Sequence, residues 1–386
     1  MLRIHFVRAI FVVFLGLIGT AHTASGQTQT TPARAAIVVD MTSGAVLLEK
    51  NADTSVPPAS MSKLMTLEVV FDALETGRLA LDDTFRTSDR AAAMGGSKMF
   101  IRSGGSVKVE DLLRGVIVQS GNDAAVALAE AISGTEEAFA GLMNQRADDI
   151  GLTGSSFANA TGWPDPKHRM SPRDLATLAE RIITRYPQHY ALFAETEFTW
   201  EDITQRNRNP LLDAGIGADG LKTGHTEEAG YGLVASAKRG ERRVVLVVTG
   251  LESSQQRRQE AERLINWAFR AFETTRLYQA GEPVAEAKVW IGAAERVTLA
   301  PARDLIVTVP YGALEKAEIS AHFPEPVEAP VEAGAELGRL EVALPGVTPV
   351  SVPLIAVETV ERGGITARFE AAARLLINRI LALSEG

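Results

Sequence analysis

Two predicted β-hairpins, one on each side of a long helical stretch, constrain the fold of this chain more than any other feature. Residues 34–53, RAAIVVDMTSGAVLLEKNAD, place an apolar strand and a second strand around a turn at Thr42-Ser43-Gly44. From Gly230, GYGLVASAKRGERRVVLVVTG has the same layout around Lys238-Arg239-Gly240. Strands at both ends of a helical region suggest one sheet assembled from both ends. The sequence therefore predicts an α/β (α+β) domain over residues 31–276.

Apolar residues recur at helical spacing between the two hairpins. The first predicted helix runs from Ser60 to Thr76, and Gly77 follows as a plausible stop. Another begins with Ser171 as N-cap and Pro172 at the first helical position. Further helices are predicted in VEDLLRGVIVQS, NDAAVALAEAIS and, after the second hairpin, QEAERLINWAFRAFET.

The character of the sequence changes after about Leu277. Short alternating segments with Pro and Gly between them predict a small all-β domain over residues 280–361. Residues 365–386 follow a Gly-Gly break and predict an amphipathic helix edged by arginines, which suits the plane of an anionic membrane. The apolar face of this helix would consist of Ile365, Phe369, Ala372, Leu376, Ile380 and Leu383. The alternative is that the helix packs against its own protein instead of a membrane.

The first residues predict export. Arg3 and Arg8 flank the apolar run Ala9–Gly19, and small and polar residues follow, which is the layout of a secretory signal over residues 1–26. Cleavage after Ala24 or after Gly26 fits, and an uncleaved anchor stays open. The chain has no cysteine, which excludes disulfides and thiol catalysis. A net charge of −9 without a basic block argues against nucleic-acid binding.

The stretch PPASMSKLMT places Ser60 three residues before Lys63. On one helical face these side chains would lie close enough for a neutral lysine amine to accept the serine proton. Burial and a second cation would lower the lysine pKa far enough for that. A lone Ser-x-x-Lys is weak evidence, because a serine N-cap followed by lysine is ordinary.

Two further motifs make the match specific. Ser120-Gly121-Asn122 and Lys222-Thr223-Gly224 follow in the order of the set S-x-x-K, S-x-N, K-T-G of serine penicillin-recognising enzymes. We expect Ser60 to attack a carbonyl and Lys63 to take its proton. Ser120 and Asn122 would relay a proton and hold the substrate amide.

The third motif is expected to bind the substrate. Lys222 would bring a second positive charge that keeps Lys63 neutral and attracts an anionic ligand. Thr223 would offer its hydroxyl to a terminal carboxylate. Gly224 would leave room for an extended substrate along the strand edge. No metal site is predicted, because His168 and His189 lack metal-ligand spacing with other ligands.

With these motifs, nearly the whole chain resembles a low-molecular-mass penicillin-binding protein, a serine-type D-alanyl-D-alanine carboxypeptidase of the S11 peptidase type. The resemblance implies peptidoglycan stem pentapeptides as substrate, β-lactam antibiotics as inhibitors and no cofactor. It also implies a β-rich stalk and a tail helix on the outer face of the bacterial inner membrane, in the periplasm. The backbone N–H groups of Ser60 and His225 would bind the oxyanion. Arg257 would help bind the substrate carboxylate, although Arg258 is adjacent.

Three alternatives carry distinguishing features. A class A β-lactamase usually has Asp in the middle of the second motif, where this chain has Gly121, and needs a deacylating glutamate in a Glu-x-x-Leu-Asn pattern that is missing here. A DD-endopeptidase that cuts cross-links would share the motifs, but the stalk and tail favour a carboxypeptidase. A catalytically idle wall-binding protein would not need Ser60, Lys63, Asn122 and Lys222 intact.

Overall fold

The computed structural model describes residues 29–344 and 347–365, and the described residues from Thr31 onward form one compact unit. The predicted signal segment lies outside the described residues, as does the predicted tail helix apart from Ile365. The helices are α1 (Lys63–Glu75), α2 (Asp89–Ala93), α3 (Val109–Ile117), α4 (Asn122–Ser133), α5 (Glu136–Asp149), α6 (Pro172–Arg185), α7 (Pro187–Tyr190) and α8 (Ser254–Ala271). The strands are β1 (Ala35–Asp40), β2 (Ala45–Lys50), β3 (Thr84–Arg86), β4 (Ser106–Lys108), β5 (Glu197–Trp200), β6 (Ile203–Arg206), β7 (Ala218–Thr226), β8 (Gly230–Arg239), β9 (Arg242–Leu251), β10 (Phe272–Tyr278), β11 (Ala285–Trp290), β12 (Arg296–Pro301), β13 (Leu305–Pro310), β14 (Glu318–His322), β15 (Val327–Glu328), β16 (Glu336–Leu344) and β17 (Val347–Ala356).

A five-stranded antiparallel sheet joins the two predicted hairpins. Its strand order is β2-β1-β9-β8-β7, and β1 pairs with β9 with Val38 opposite Leu246. Strands from both ends of the helical region therefore meet at the centre of one sheet. The predicted α/β fold is confirmed, and the strand with the Lys222-Thr223-Gly224 motif, β7, forms one edge of the sheet.

Side chains that alternate along the central strands fill two separate apolar cores. In β1, Ile37 and Val39 belong to the core that contains α1, whereas Ala36 and Val38 belong to the core that contains α8. A sheet covered by helices on both faces buries every residue of such a strand. Nearly all of α1 is buried too, so this helix carries Lys63 into the protein interior.

The helices predicted between Ser60 and Thr274 occur, and two of their ends are displaced. Ser171 caps α6 as predicted, because its Oγ accepts a hydrogen bond from the Asp174 N–H. The prediction that a helix begins at Ser60 was wrong, since Ser60 lies in a 3₁₀ turn, Ala59–Ser62, and α1 begins at Lys63. The helix predicted to run to Thr274 after the second hairpin ends at Ala271, because Phe272 begins β10, which pairs with β13.

The C-terminal part of the chain is a β-structure with its own core. A six-stranded sheet has the order β14-β16-β17-β12-β11-β15, and β10 pairs with β13 beside it. The core contains Val297, Leu299, Val307, Val342 and Leu354 among its fully or nearly fully buried side chains. In residues 29–344 and 347–365, no helix is both long and apolar enough to cross a membrane.

A buried carboxylate links the five-stranded sheet to this β-domain. Asp40, at the end of β1, is fully buried and accepts hydrogen bonds from Arg242 Nε at 2.6 Å and Thr274 Oγ1 at 3.1 Å. Arg242 also donates to the carbonyl of Phe272, the first residue of β10. Thr308 of β13 shares hydrogen bonds with both Ser43 and Thr274. Asp40, Arg242 and Thr308 together connect the first hairpin with the end of α8 and with the strand pair β10–β13.

We expect Asp40→Ala to lower the free energy of unfolding by about 3–5 kcal/mol, because it leaves the buried Arg242 guanidinium without its counter-ion. Asp213→Ala is a matched control, since Asp213 pairs with Arg206 and both side chains are mostly exposed. The control should lose less than about 1 kcal/mol. Urea unfolding followed by circular dichroism measures both, and equal losses would contradict a special contribution from Asp40.

Candidate active site

The turn that carries Ser60 lies directly on the central sheet. Met61 N–H donates to the Pro58 carbonyl at 3.2 Å and closes the turn. A Cβ atom on Gly224 would lie 2.9 Å from that same Pro58 oxygen. The missing side chain at Gly224 thus makes room for the Ser60 turn, in addition to the room predicted for a substrate. In a 3₁₀ turn residues three apart eclipse one another, so Ser60 still faces Lys63.

The Lys63 amine has three oxygen neighbours. Its Nζ lies 3.0 Å from Ser60 Oγ, 2.7 Å from Asn122 Oδ1 and 2.6 Å from the Thr161 carbonyl oxygen. Asn122 Nδ2 donates to the Gly95 carbonyl at 2.8 Å, which turns the amide oxygen toward the lysine. A neutral amine has two N–H donors and one lone pair. The two carbonyl-type oxygens can only accept, so the lone pair is left for the Ser60 hydroxyl.

The surroundings of Lys63 favour this neutral form. Burial in the first place, and the positive charge of Arg208 in the second, lower the pKa of Lys63 to about 7, against an opposing effect of Asp123 and Glu136. The sequence-based hypothesis assigned the second charge to Lys222. The structure instead gives that effect on the pKa to Arg208, while burial and then Lys63 lower the pKa of Lys222 itself well below its usual value.

The second motif places Ser120 in the same cleft as Ser60. Ser120 adopts a left-handed backbone conformation with φ of 59°, and Asn122 begins α4. The backbone N–H of Asn122 donates to the Ser97 carbonyl at 2.7 Å. Asp123 is fully buried and accepts hydrogen bonds from the backbone N–H groups of residues 99–101. The loop around Ser97 is thereby fixed beside Ser120.

The third motif brings a cluster of cations to the same cleft. Lys222 and Thr223 are buried in β7, and among the described residues the Lys222 amine has the Thr223 carbonyl oxygen, at 3.3 Å, as its one acceptor. His225 is exposed, and its ring stacks on that of Tyr231 with centroids 3.8 Å apart. Arg257 projects from α8 to the same place, where its Cζ lies 5.7 Å from the centroid of Tyr231.

One cavity of about 500 Å³ is lined by six of the nine predicted residues. The other three are buried next to lining residues or to one another. Lys63 contacts Ser60 and Asn122, and Lys222 contacts the Thr223 carbonyl oxygen. The structure therefore brings together all nine residues that the sequence singled out for catalysis or binding. The cavity is lined by Ser60, Ser97, Ser120, Arg206, Asn207, Arg208, Thr223, Gly224, His225, Tyr231 and Arg257.

Sequence reasoning missed Arg208 and Thr161. Arg208 sits in a polar loop, and the side chains of Asn207 and Asn209 bond to backbone atoms of that loop and its neighbours. Thr161 acts through its carbonyl oxygen, which no side-chain pattern reveals. Asn159 offers an indirect signal, because its Oδ1 accepts from the backbone N–H groups of residues 161–163 and folds that loop against Lys63.

In residues 29–344 and 347–365, no three or more His, Asp or Glu side chains lie close enough together to hold a metal ion. His168 is buried, stacks edge-on against Phe157 and accepts a hydrogen bond from the Ala158 N–H. His189 stacks on Phe71. Both histidines therefore pack in the fold outside the cleft lining.

Comparison with known proteins gives matches over most of the chain. The sequence profile of the D-alanyl-D-alanine carboxypeptidase family, peptidase S11, matches residues 21–253, and that of the penicillin-binding protein 5, C-terminal domain, matches residues 272–362. D-alanyl-D-alanine carboxypeptidase DacC of Escherichia coli (strain K12) is 40% identical over 92% of this chain and 92% of its own.

Solved structures agree with these sequence matches. Penicillin binding protein 5 from Haemophilus influenzae superposes with a TM-score of 0.81 at 36% identity, over 86% of this chain and all of its own. Penicillin-Binding Protein D2 from Listeria monocytogenes in the ampicillin-bound form has a TM-score of 0.57 at 30% identity, over 62% of this chain and 97% of its own.

The site geometry predicts a pH dependence. We expect the rate of Ser60 acylation by an activated ester to rise about tenfold per pH unit below pH 7 and to level off above it, because only the neutral Lys63 accepts the proton. Intact-protein mass spectrometry across roughly pH 5–9, about two units on either side of that midpoint, measures the rate. A flat profile would contradict the assignment of Lys63 as base.

Two arginine variants sharpen this pH measurement. Arg208→Gln should move the midpoint to higher pH, because it removes the cation that lowers the pKa of Lys63. Arg206→Gln is the matched control, since Arg206 lines the same cavity but pairs with Asp213. Its midpoint should stay near that of the parent protein.

Proposed function

We propose a complete reaction for this chain, which belongs to the peptidase S11 family and is a serine D-alanyl-D-alanine carboxypeptidase. It removes the terminal D-alanine from peptidoglycan stem pentapeptides through an acyl-enzyme on Ser60. The observation that carries this proposal is the 3.0 Å contact between Lys63 Nζ and Ser60 Oγ, with two carbonyl-type oxygens occupying the other positions around the amine.

Acylation begins when Ser60 Oγ attacks the carbonyl carbon of the penultimate D-alanine. Lys63 accepts the hydroxyl proton, and the negative charge on the carbonyl oxygen is stabilised by the backbone N–H groups of Ser60 and His225. The C–N bond then breaks. The departing D-alanine amine receives the proton from Lys63 through the Ser120 hydroxyl, which leaves an ester between Ser60 and the trimmed peptide.

The cations at the other end of the cavity select a free carboxylate. Arg208, Thr223 and Arg257 line this part of the cavity. Lys222 is buried beside Thr223, and within the part of the chain that the structure describes its amine has a single weak acceptor. A substrate carboxylate there would gain charge-assisted hydrogen bonds and would favour the protonated form of Lys222, whose pKa burial and Lys63 lower.

Deacylation repeats the proton transfer with water as the nucleophile. Once D-alanine has left, a water molecule can give its proton to neutral Lys63 and attack the ester carbon. The proton returns to Ser60 Oγ as the ester bond breaks, and the free enzyme is restored. All acid–base steps use side chains of this chain.

β-Lactams acylate the same serine in our proposal. Their strained amide takes the place of the D-alanyl bond, and their carboxylate takes the place of the terminal one. The ampicillin-bound relative from Listeria supports this proposal, because its chain is matched by this one over nearly its whole length.

We expect wild-type protein to release free D-alanine from a D-Ala-D-Ala pentapeptide, and Ser60→Ala to abolish both this release and labelling by a fluorescent penicillin. The alanine variant removes the nucleophile while Lys63 and Asn122 keep their contact. Product analysis by mass spectrometry on the pentapeptide and on a cross-linked dimer measures both activities. Cleavage of the dimer without free D-alanine would favour the endopeptidase alternative, and persistent labelling would refute Ser60 as nucleophile.

We further propose that the enzyme acts in the periplasm, attached to the outer face of the inner membrane. The support is the sequence pattern alone: an export signal over residues 1–26 and an apolar stripe edged by arginines over residues 365–386. The tail helix would lie in the plane of the membrane and place the β-domain between the membrane and the catalytic domain.

Truncation after Gly364 should move the protein from the membrane fraction to the soluble fraction, because the apolar stripe is removed. A finer test is Leu376→Asp with Ile380→Asp, which puts charge into that stripe and should also release the protein. Asn378→Asp adds the same side chain to the predicted polar face and should leave the protein on membranes. Membrane flotation followed by immunoblotting measures the distribution, and retention of the truncated form would refute the tail anchor.

A further inference from the structure

Arg257 is a nearly buried cation without a carboxylate partner. Its side chain is about nine-tenths buried, and its Nη1 donates to the Gly232 carbonyl oxygen at 3.5 Å. Its Nε finds no hydrogen-bond partner among the residues that the structure describes. Among residues 29–344 and 347–365, no Asp or Glu forms an ion pair with it. Something other than a counter-ion must therefore hold this guanidinium at the cavity.

The ring of Tyr231 is the one aromatic surface that the described residues offer to Arg257. The guanidinium carbon lies 5.7 Å from the ring centroid, which is within the range of a cation–π contact. Tyr231 is fixed from two directions. It is paired with His225 across β7 and β8 and with Leu251 across β8 and β9, and its ring stacks on that of His225.

The balance of charges explains why an aromatic ring suits this position. The positive charge of Arg257 disfavours the protonated form of Lys222, since the arginine is among the causes that lower the pKa of the lysine, after burial, Lys63 and Arg208. An acidic side chain beside Arg257 would offset that effect but would occupy the N–H donors of the guanidinium. A ring attracts the cation and leaves those donors free for a ligand.

We propose that Tyr231 is a positioning residue, which holds the Arg257 guanidinium at the cavity with its N–H donors free for the terminal carboxylate of the substrate. The inference rests on the proposed function, because it assigns Tyr231 a part in the same recognition. It adds a residue outside the three motifs. Tyr231 acts through Arg257, so its effect should depend on whether the substrate has a carboxylate.

The test compares a D-Ala-D-Ala peptide with the same peptide carrying a C-terminal amide. The ratio of kcat/KM for the acid to kcat/KM for the amide reports recognition of the carboxylate alone. Tyr231→Leu should lower this ratio about tenfold, mainly through KM for the acid. Tyr231→Phe keeps the aromatic face and should stay within about twofold of wild type.

A double variant shows whether Tyr231 acts through Arg257. Arg257→Gln should lower the ratio at least as far as Tyr231→Leu does. Adding Tyr231→Leu to Arg257→Gln should then lower it no further, because the ring has no cation left to hold. Additive losses, or an equal fall of kcat/KM for the acid and the amide in Tyr231→Leu, would overturn the proposal.

A shape-preserving substitution covers the case in which Tyr231→Leu fails to fold. Pentafluorophenylalanine at position 231 fills nearly the same space as phenylalanine but reverses the charge distribution of the ring face. The acid-to-amide ratio should fall relative to Tyr231→Phe, and an unchanged ratio would refute the cation–π contact. The wild type separates the two claims. If it releases no D-alanine in a Ser60-dependent way, the proposed function fails. If it does and the ratios stay constant, only the role of Tyr231 fails.

Discussion

The removal of the Lys63 amine from water is the constraint on which the rest of the site depends. A lysine exposed to solvent stays protonated near neutral pH and cannot accept a proton from serine. Helix α1 solves this by running through the core with nearly every side chain buried, so Lys63 has no contact with bulk water. Its amine is left with Asn122, Thr161 and Ser60 as partners, and these three oxygens define both its position and its direction.

Holding those partners in place requires close contacts between segments far apart in sequence. The Ser60 turn rests on Gly224 and also on Gly232, where a Cβ would come within 2.6 Å of the Met61 side chain. On the other side, a Cβ on Gly162 would lie 2.0 Å from the Ala59 carbonyl oxygen. Three glycines thus let two strands and one loop approach the nucleophile more closely than any side chain would permit.

The sequence allowed the fold class and the motif residues to be predicted, since both depend on local patterns. The alternation of apolar residues identifies the hairpins. The three motifs are recognisable by their residue types and by their order along the chain, and they contain Ser60, Lys63, Asn122 and Lys222. Arg208 was not predictable, because its effect on the pKa of Lys63 depends on distance in the folded chain and on shared burial. The contribution of Thr161 comes from a backbone oxygen, which every residue has. The hydrogen bonds of Asp40 were not predictable either, because they join it to residues more than two hundred positions away in the sequence.

The hydrogen bonds of Asp40 fix the position of the cleft relative to the β-domain. These hydrogen bonds tie β10 and β13 to the first hairpin and to Arg242, so no flexible linker separates the cleft from the β-domain. The last hydrogen-bonded residues of the β-domain, such as Gly363, whose N–H donates to the Ile291 carbonyl, therefore belong to the same compact unit as the cleft. If the tail holds the protein on a membrane, as proposed above, the folded β-domain rather than a linker would set how far the cleft stands from that surface.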